Sequence, residues 1–291
     1  MEHCKSNEEC VALCTNLKKK MIDLSENVRE KQDKAKLEFE EALADINDNE
    51  VHIRTHGLVV MRRLILHKNE QAMKEKQRLI IVIQALLCDQ ESYVYLAAIK
   101  ALAALAICST EEVLPSLFDA YRDKQRSLQE RVNVGEVLLN LVKDLGGAVQ
   151  KYSKLFINEF LRSMKDDEPT MRISSLSNLG QVCSLLRFAI SPYIVEIFNA
   201  VKCMLETDPI LEVKRASIMF IHVMLSGIDG NSIQAIEPEI SNIYRLVKHV
   251  YNRSLDDVVQ FHCQLAFDQF DKIGKEMLTL RQENVHTIHF T

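Results

Sequence analysis

Tryptophan is absent from the 291 residues, and glycine (8) and proline (5) are scarce. A β-sandwich or barrel needs a turn every ten residues or so, so this shortage of turn formers excludes one and leaves helices. A basic excess is missing too: 36 Lys and Arg face 41 Asp and Glu, for a net charge of -5. That excludes the electrostatic footprint of a general nucleic-acid binder. None of the eight cysteines forms a CxxC pair, and no secretory signal precedes them; zinc-ribbon and disulfide frameworks are excluded, and a reducing compartment is expected. The longest apolar run, residues 93–108, has sixteen residues and carries Lys100. It is short of the roughly 20 needed to cross a bilayer, so it reads as a buried helix rather than an anchor, and no integral membrane span is expected.

Catalytic signatures are also lacking. The chain has no glycine-rich phosphate loop, GxSxG elbow, HExxH pair or kinase signature. His52 and His56 have helical i,i+4 spacing but no acidic or cysteine ligand fixed beside them. Cys4, Cys10 and Cys14 match no compact zinc module. His262 and Cys263 are adjacent, so on a helix they point to different faces. The expectation is a non-enzyme with no catalytic, cofactor or metal site and no small-molecule substrate.

What is present is the composition of a folded protein, 47% hydrophobic and 26% charged. Residues 1–46 read as a polar helical segment; 27–46 contain neither Gly nor Pro and are rich in Glu, Lys, Ala and Leu, all good helix formers. Residues 47–274 read as a repeat array and 275–291 as a tail.

The array is legible as self-similarity. Asp48, Ile53 and Arg54 begin one copy; Asp89, Val94 and Tyr95 the next; Asp166, Met171 and Arg172, then Asp208, Val213 and Lys214, complete the clear set. In each, an apolar residue stands five after the Asp and a base, or Tyr, six after. A degenerate copy centres on Arg131 and a sixth on Val259, giving spacings of 41, 36, 41, 42 and 45 residues. Paired-helix HEAT or armadillo repeats have periods of about 40 to 47. The expected fold is therefore all-α: a HEAT/armadillo-like α-solenoid of about five to six helical hairpins, preceded by a long N-terminal helix that covers one end or else pairs with the inner helix of the first repeat. Each Asp suits the positive end of the helix it precedes. Offsets -1, +3, +4 and +7 from the base share one face, and the +3 residue is always small: Gly57, Ala98, Ser175, Ser217.

Two sets of residues follow as candidates. Asp48, Arg54, Asp89, Asp166, Arg172, Asp208 and Lys214 form a structural repeat ladder of caps and inter-repeat ion pairs. On the opposite face, short-chained polar or weakly apolar positions offer a surface for extended protein segments: Arg63, Lys100, Asn140, Ser177, Gln181, Met219 and Val223. Met219 and Val223 also read as residues covered by a neighbouring helix.

Four blocks carry a family resemblance: residues 48–66 (DNEVHIRTHGLVVMRRLIL), 89–106 (DQESYVYLAAIKALAALA), 172–188 (RISSLSNLGQVCSLLRF) and 208–225 (DPILEVKRASIMFIHVML). In this order the chain resembles the C-terminal region of the transport and Golgi organisation protein six family, which includes the factor required for nuclear transport of RNA polymerase II. The resemblance implies a non-enzymatic helical-repeat adaptor in protein transport, acting in the secretory pathway or in nuclear import of the polymerase. The implied partners are proteins: polymerase subunits, transport or coat components. The implied location is cytoplasmic, at Golgi membranes peripherally or shuttling to the nucleus. A second reading of such an array is a regulatory scaffold that holds an enzyme such as a phosphatase.

Overall fold

A computed structural model describes residues 19–20, 31–228 and 230–288. Most of the expected N-terminal helix, including Cys4, Cys10, Cys14 and Lys18, lies outside the described residues, as do the last three residues of the tail. The described residues are helical and contain no strand. Those up to Cys108 form one compact unit and those from Ser109 form a second.

In the first unit, α1 (31–46) turns into α2 (Val51–Leu66); α3 (Glu70–Lys74), α4 (Lys76–Ala85) and a short 3-10 turn then lead into α5 (Ser92–Cys108). Helix α1 lies antiparallel to α2. Asp45 meets His56 at 3.0 Å, Glu38 meets Arg63, and the Asn69 side chain donates to the Ala35 carbonyl at 3.1 Å. Phe39, Ala42, Leu43 and Ile46 are buried. The described stretch of the polar segment is thus the outer helix of the first hairpin. Of the two expected placements it takes the pairing with the first repeat's inner helix, because its four apolar residues need the α2 face as much as α2 needs them. Gly57 is where the two backbones meet: a Cβ there would lie 2.7 Å from the Asp45 Cβ and the Ile46 nitrogen.

Helix α5 is apolar almost all round, with Val94, Ala98, Ile99 and 101–106 buried, and it packs on α2. The alanine run permits close approach, and only one end and one stripe (Tyr93, Leu96, Lys100) reach solvent. Core packing therefore accounts for the apolarity of 93–108.

The second unit contains four hairpins: α6 (Thr110–Arg122) with α7 (Leu128–Leu145), α8 (Ser153–Ser163) with α9 (Pro169–Leu186), α10 (Ile194–Thr207) with α11 (Leu211–Ser226), and α12 (Gly230–Arg253) with α13 (Asp257–Ile288). The second helices α7, α9, α11 and α13 pack in that order. Small residues set the spacing. Ser175 and Ser217 are fully buried, and their hydroxyls donate to carbonyls of their own helices (Arg172 at 2.9 Å, Val213 at 2.8 Å), so neither hydroxyl is left stranded. Helix α13 continues without a break through the expected tail boundary at 274–275.

Two hairpins share one internal device. Helix α7 ends at Gly146 (φ 52°, ψ -127°) and α9 at Arg187 (φ 50°, ψ -121°), and each is followed by a seven-residue 3-10 run. Glycine adopts this backbone freely; arginine does so under strain. The break matters for another reason. The run Pro169–Thr207 is, by length and a mean hydropathy of 1.4, long and apolar enough to cross a bilayer. At Arg187 it turns, and Met171, Leu176, Leu179, Val182, Cys183 and Leu186 are buried within the unit. Leu185, Phe188 and Val195 of the same run are exposed.

Substituting Gly57→Ala should lower stability by about 1–3 kcal/mol through overpacking, whereas Arg187→Gly should raise it by about 1 kcal/mol by relieving the positive φ. Urea unfolding followed by circular dichroism checks both signs.

Candidate functional site: a ladder of ion pairs and the face beside it

In the turns before α2, α5, α9 and α11 an aspartate carboxylate accepts the backbone N–H two residues on: Asp48 from Glu50 (2.7 Å), Asp89 from Glu91 (2.9 Å), Asp166 from Glu168 (3.1 Å), Asp208 from Ile210 (2.9 Å). These aspartates therefore close the turn and do not cap the helix. The residues at the N-caps of α2, α9 and α11 are Glu50, Glu168 and Ile210, none with a side-chain cap. The exception is Asp256, which accepts from Val259 at 2.9 Å, two residues into α13.

The second carboxylate function is to receive an arginine from the previous hairpin. Arg54 Nη1 donates to the carbonyls of Asp48 and Asn49 (3.1 and 2.8 Å), while Nη2 lies 3.1 Å from Asp89 Oδ2. Arg172 repeats the arrangement: Nη1 donates to the carbonyls of Asp166 and Asp167 (2.9 and 3.0 Å), and Nε lies 2.8 Å from Asp208 Oδ2. One planar guanidinium thereby fastens its own turn to the next. Arg131 holds Asp166 with Nη2 and the Tyr121 carbonyl with Nε at 3.0 Å. Its own turn, 123–127, is two residues longer, which is why its copy looks degenerate. Arg131 and Asp166 are 6% and 7% exposed, the most enclosed pair of the series.

Lys214 departs from the expected ladder. Among the described residues it has no ion-pair partner; the neighbouring Arg215 takes Asp256 in two contacts, Nε–Oδ1 at 3.1 Å and Nη2–Oδ2 at 2.6 Å. A lysine ammonium lacks the planar fork that holds a carboxylate bidentately, so the adjacent arginine carries the link. Arg131, where the spacing centred a degenerate copy, is thus a full member, whereas Arg215 and Asp256 are members the spacing rule missed. The signal was there in an arginine one residue past the expected base and in the Asp that ends the 254–256 turn.

These contacts shift titrations. Burial pushes the Asp166 carboxyl up, but the hydrogen bonds from Arg131 and the Glu168 N–H, with the charges of Arg131 and Lys124, outweigh it and leave it below the usual value. Hydrogen bonds from Arg215 and from the Val259 N–H pull Asp256 down to about 2.

The proposed partner face divides between the units. In the first, Arg63 is tied to Glu38 of α1, and Lys100 is exposed on α5. In the second, Asn140 on α7, and Ser177 and Gln181 on α9, are half-buried, and Met219 on α11 is exposed. The Asn140 amide donates to the Glu136 carbonyl. Val223 is half-buried and packs at Gly180, 3.6 Å from where a Cβ would stand, so it belongs to the α9–α11 contact. The charged group in this row is Glu136, whose carboxyl is pushed up by burial.

The other singled-out groups are not assembled into chemistry. Among the described residues no three His, Cys, Asp or Glu side chains are placed to hold a metal. Burial pushes the Cys263 thiol up to about 11, away from a thiolate nucleophile, and burial, with His222 beside it, lowers His262.

Residues 39–148 match the family described as "Required for nuclear transport of RNA pol II C-terminus 1". The chain is 26% identical over 212 residues to the Transport and Golgi organization protein 6 of Drosophila melanogaster, covering 73% of this chain and 23% of that one. It is 24% identical over 261 residues to the RNA polymerase II assembly factor RTP1 of Saccharomyces cerevisiae, covering 82% and 26%. The matching model and both relatives carry the names of the family that the motifs resemble. The chain spans about a quarter of the length of these curated relatives. A crystal structure of the karyopherin Kap121p, bound to the extreme C-terminus of the protein phosphatase Cdc14p, matches with a TM-score of 0.53 over 81% of this chain and 23% of that one. At 10% identity it shows the helical-repeat fold alone.

Breaking an enclosed pair strands its partner, at a cost of about 3–5 kcal/mol. Arg172→Met should therefore cost about 3 kcal/mol, whereas Lys214→Met should stay within about 0.5 kcal/mol of wild type; denaturant midpoints compare them. The lowered carboxyls add a pH dependence. A carboxylate depressed in the folded state contributes stability present above its unfolded pKa near 4 and lost as pH falls through its folded value. Stability should therefore fall between about pH 4 and pH 2, and Arg215→Met should flatten that limb, as thermal melts across this range will show.

Proposed function

We propose that this chain is a non-catalytic helical-repeat adaptor in intracellular protein transport, and that it holds protein partners against the face formed by α7, α9 and α11. The observation that carries the reading is the row Asn140, Ser177, Gln181 and Met219: uncharged side chains on helices packed side by side, none fully buried, with the Glu136 carboxyl beside them pushed toward its neutral form by burial. An extended segment can lie across such a row and hydrogen-bond to its amides and hydroxyl. The ladder supports the reading in a second way, since helices clamped at their turns present the row at constant spacing.

The relatives supply the cargo class. The names of the matched family and of the yeast relative refer to nuclear transport and assembly of RNA polymerase II, and that of the fly relative to transport and Golgi organisation. Polymerase subunits are the preferred partners, which puts the chain in the cytoplasm with passage to the nucleus. Coat or transport components at Golgi membranes are the counterpart in the secretory reading. No catalytic residue enters either version.

The test is recovery of polymerase subunits from a cell extract on immobilised chain, read by immunoblot. Wild type should retain them, and Ser177→Glu with Met219→Glu should reduce recovery at least about ten-fold, the equivalent of about 1.4 kcal/mol. Equal recovery by the double variant removes this face, and absence of polymerase alongside recovered coat proteins transfers the function to the secretory route.

A further inference from the structure

Lys214 poses a question that the ladder leaves open. It stands in the first turns of α11, where the helix dipole disfavours a cation. Arg54 and Arg172 occupy the same register, and each has an aspartate to compensate it. Lys214 has no such partner among the described residues, because Asp208 is held by Arg172 and Asp256 by Arg215. The side chain instead lines a cleft of about 490 Å³ between the C-terminal ends of α10 and α12 and the start of α11.

The cleft has a definite chemistry. Its floor includes Leu205 and Leu246, each 8% exposed. Its rim carries Lys214, His249 and Arg253 against one carboxylate, Glu206, which has Lys202 at 3.9 Å on its own helix. Like Lys214, Arg253 has no ion-pair partner among the described residues. An apolar floor beneath unpaired cations complements one kind of ligand: a chain segment with a large apolar side chain flanked by carboxylates. A polyanion without apolar groups would leave the floor unused, and an apolar segment without acids would leave both cations uncompensated next to it.

We propose that this cleft is a docking site for an acidic peptide segment anchored by a leucine-like side chain. The inference deepens the adaptor reading and rests on it, but it locates a second contact distinct from the α7–α9–α11 row. The leucine-like side chain fills the floor between Leu205 and Leu246, and carboxylates on either side meet Lys214 and Arg253. The segment belongs to the partner protein.

The experiment uses the full chain and a fluorescein-labelled twelve-residue peptide with two leucines set among Asp and Glu. Fluorescence anisotropy should show saturable binding that weakens with added salt. Binding should fall about ten-fold or more for Lys214→Glu with Arg253→Glu, and about five-fold or more when the peptide leucines become serine. Circular dichroism should show the double variant folded with an unchanged melting temperature, since neither cation holds an ion pair; Lys214→Met with Arg253→Met, which adds no negative charge, gives the same loss of binding in weaker form. Failure of the wild type to bind overturns the proposal. So does equal binding by the double variants, by the serine peptide, or by a single-stranded RNA of the same length, for which phosphates alone would suffice. Polymerase recovery separates this from the adaptor reading: wild type that recovers no partner sinks that reading, whereas recovery undiminished by Lys214→Glu with Arg253→Glu sinks only the cleft.

Discussion

The constraint on which the hairpins depend is the arginine fork that joins consecutive turns. A hairpin of two short helices cannot hide its apolar face alone, and its stability comes largely from the interface with its neighbour. Apolar packing is non-directional, so it brings hairpins together without fixing how far one slides along the next. Arg54 and Arg172 supply what packing lacks. Each binds two carbonyls of its own turn and the carboxylate of the following one, which fixes the register. Net stabilisation by such pairs is small against an apolar replacement; their contribution is to geometry.

Much of this was legible in the sequence, and the exceptions have physical causes. The spacing of Asp and base at offset six identified the turns, because helix periodicity sets where a side chain can reach back to its own loop. It placed Asp48, Arg54, Asp89, Asp166, Arg172 and Asp208 at the turns. It could not tell a helix cap from a turn closure, since in both cases an Asp oxygen accepts a nearby N–H and the difference is one residue of backbone. It also chose Lys214 over Arg215. Two cations side by side read alike in a charge pattern, but only one has a planar fork, and only tertiary structure shows which of them Asp256 faces. The place of the first helix stayed open between two alternatives because its apolar residues are thinly spread; Phe39, Ala42, Leu43 and Ile46 are enough to close a hairpin on α2.

The row proposed as a partner face was legible as a set of helix positions, and less so in the detail of which positions stay open. Offsets from the repeat centre located Asn140, Ser177, Gln181 and Met219 on the second helices, and each retains some exposure. The same offsets also named Val223 and Arg63, which are engaged by α9 and α1. An offset rule assumes identical repeats. Gly180 lets α11 come close enough to cover Val223, and Glu38 on α1 captures Arg63, so the outcome at these positions depends on one neighbouring residue that no period encodes.

The departures from the repeat therefore carry functional information that the repeat itself does not. A position that obeys the pattern is explained by assembly: its partner is the next hairpin, and nothing is left over for other molecules. Lys214 breaks the pattern in the opposite sense to Arg187. Arg187 is a local cost, a positive φ borne by arginine where the equivalent position in another hairpin has Gly146. Lys214 is a charge with no internal use, kept at a helix end that disfavours it and opening onto an apolar floor. Burial of that floor by the chain itself would require the rim cations to be desolvated without partners, which is costly. Covering it with a segment that brings its own carboxylates removes the cost, and for that reason the ladder's missing rung is a better guide to recognition than its complete ones.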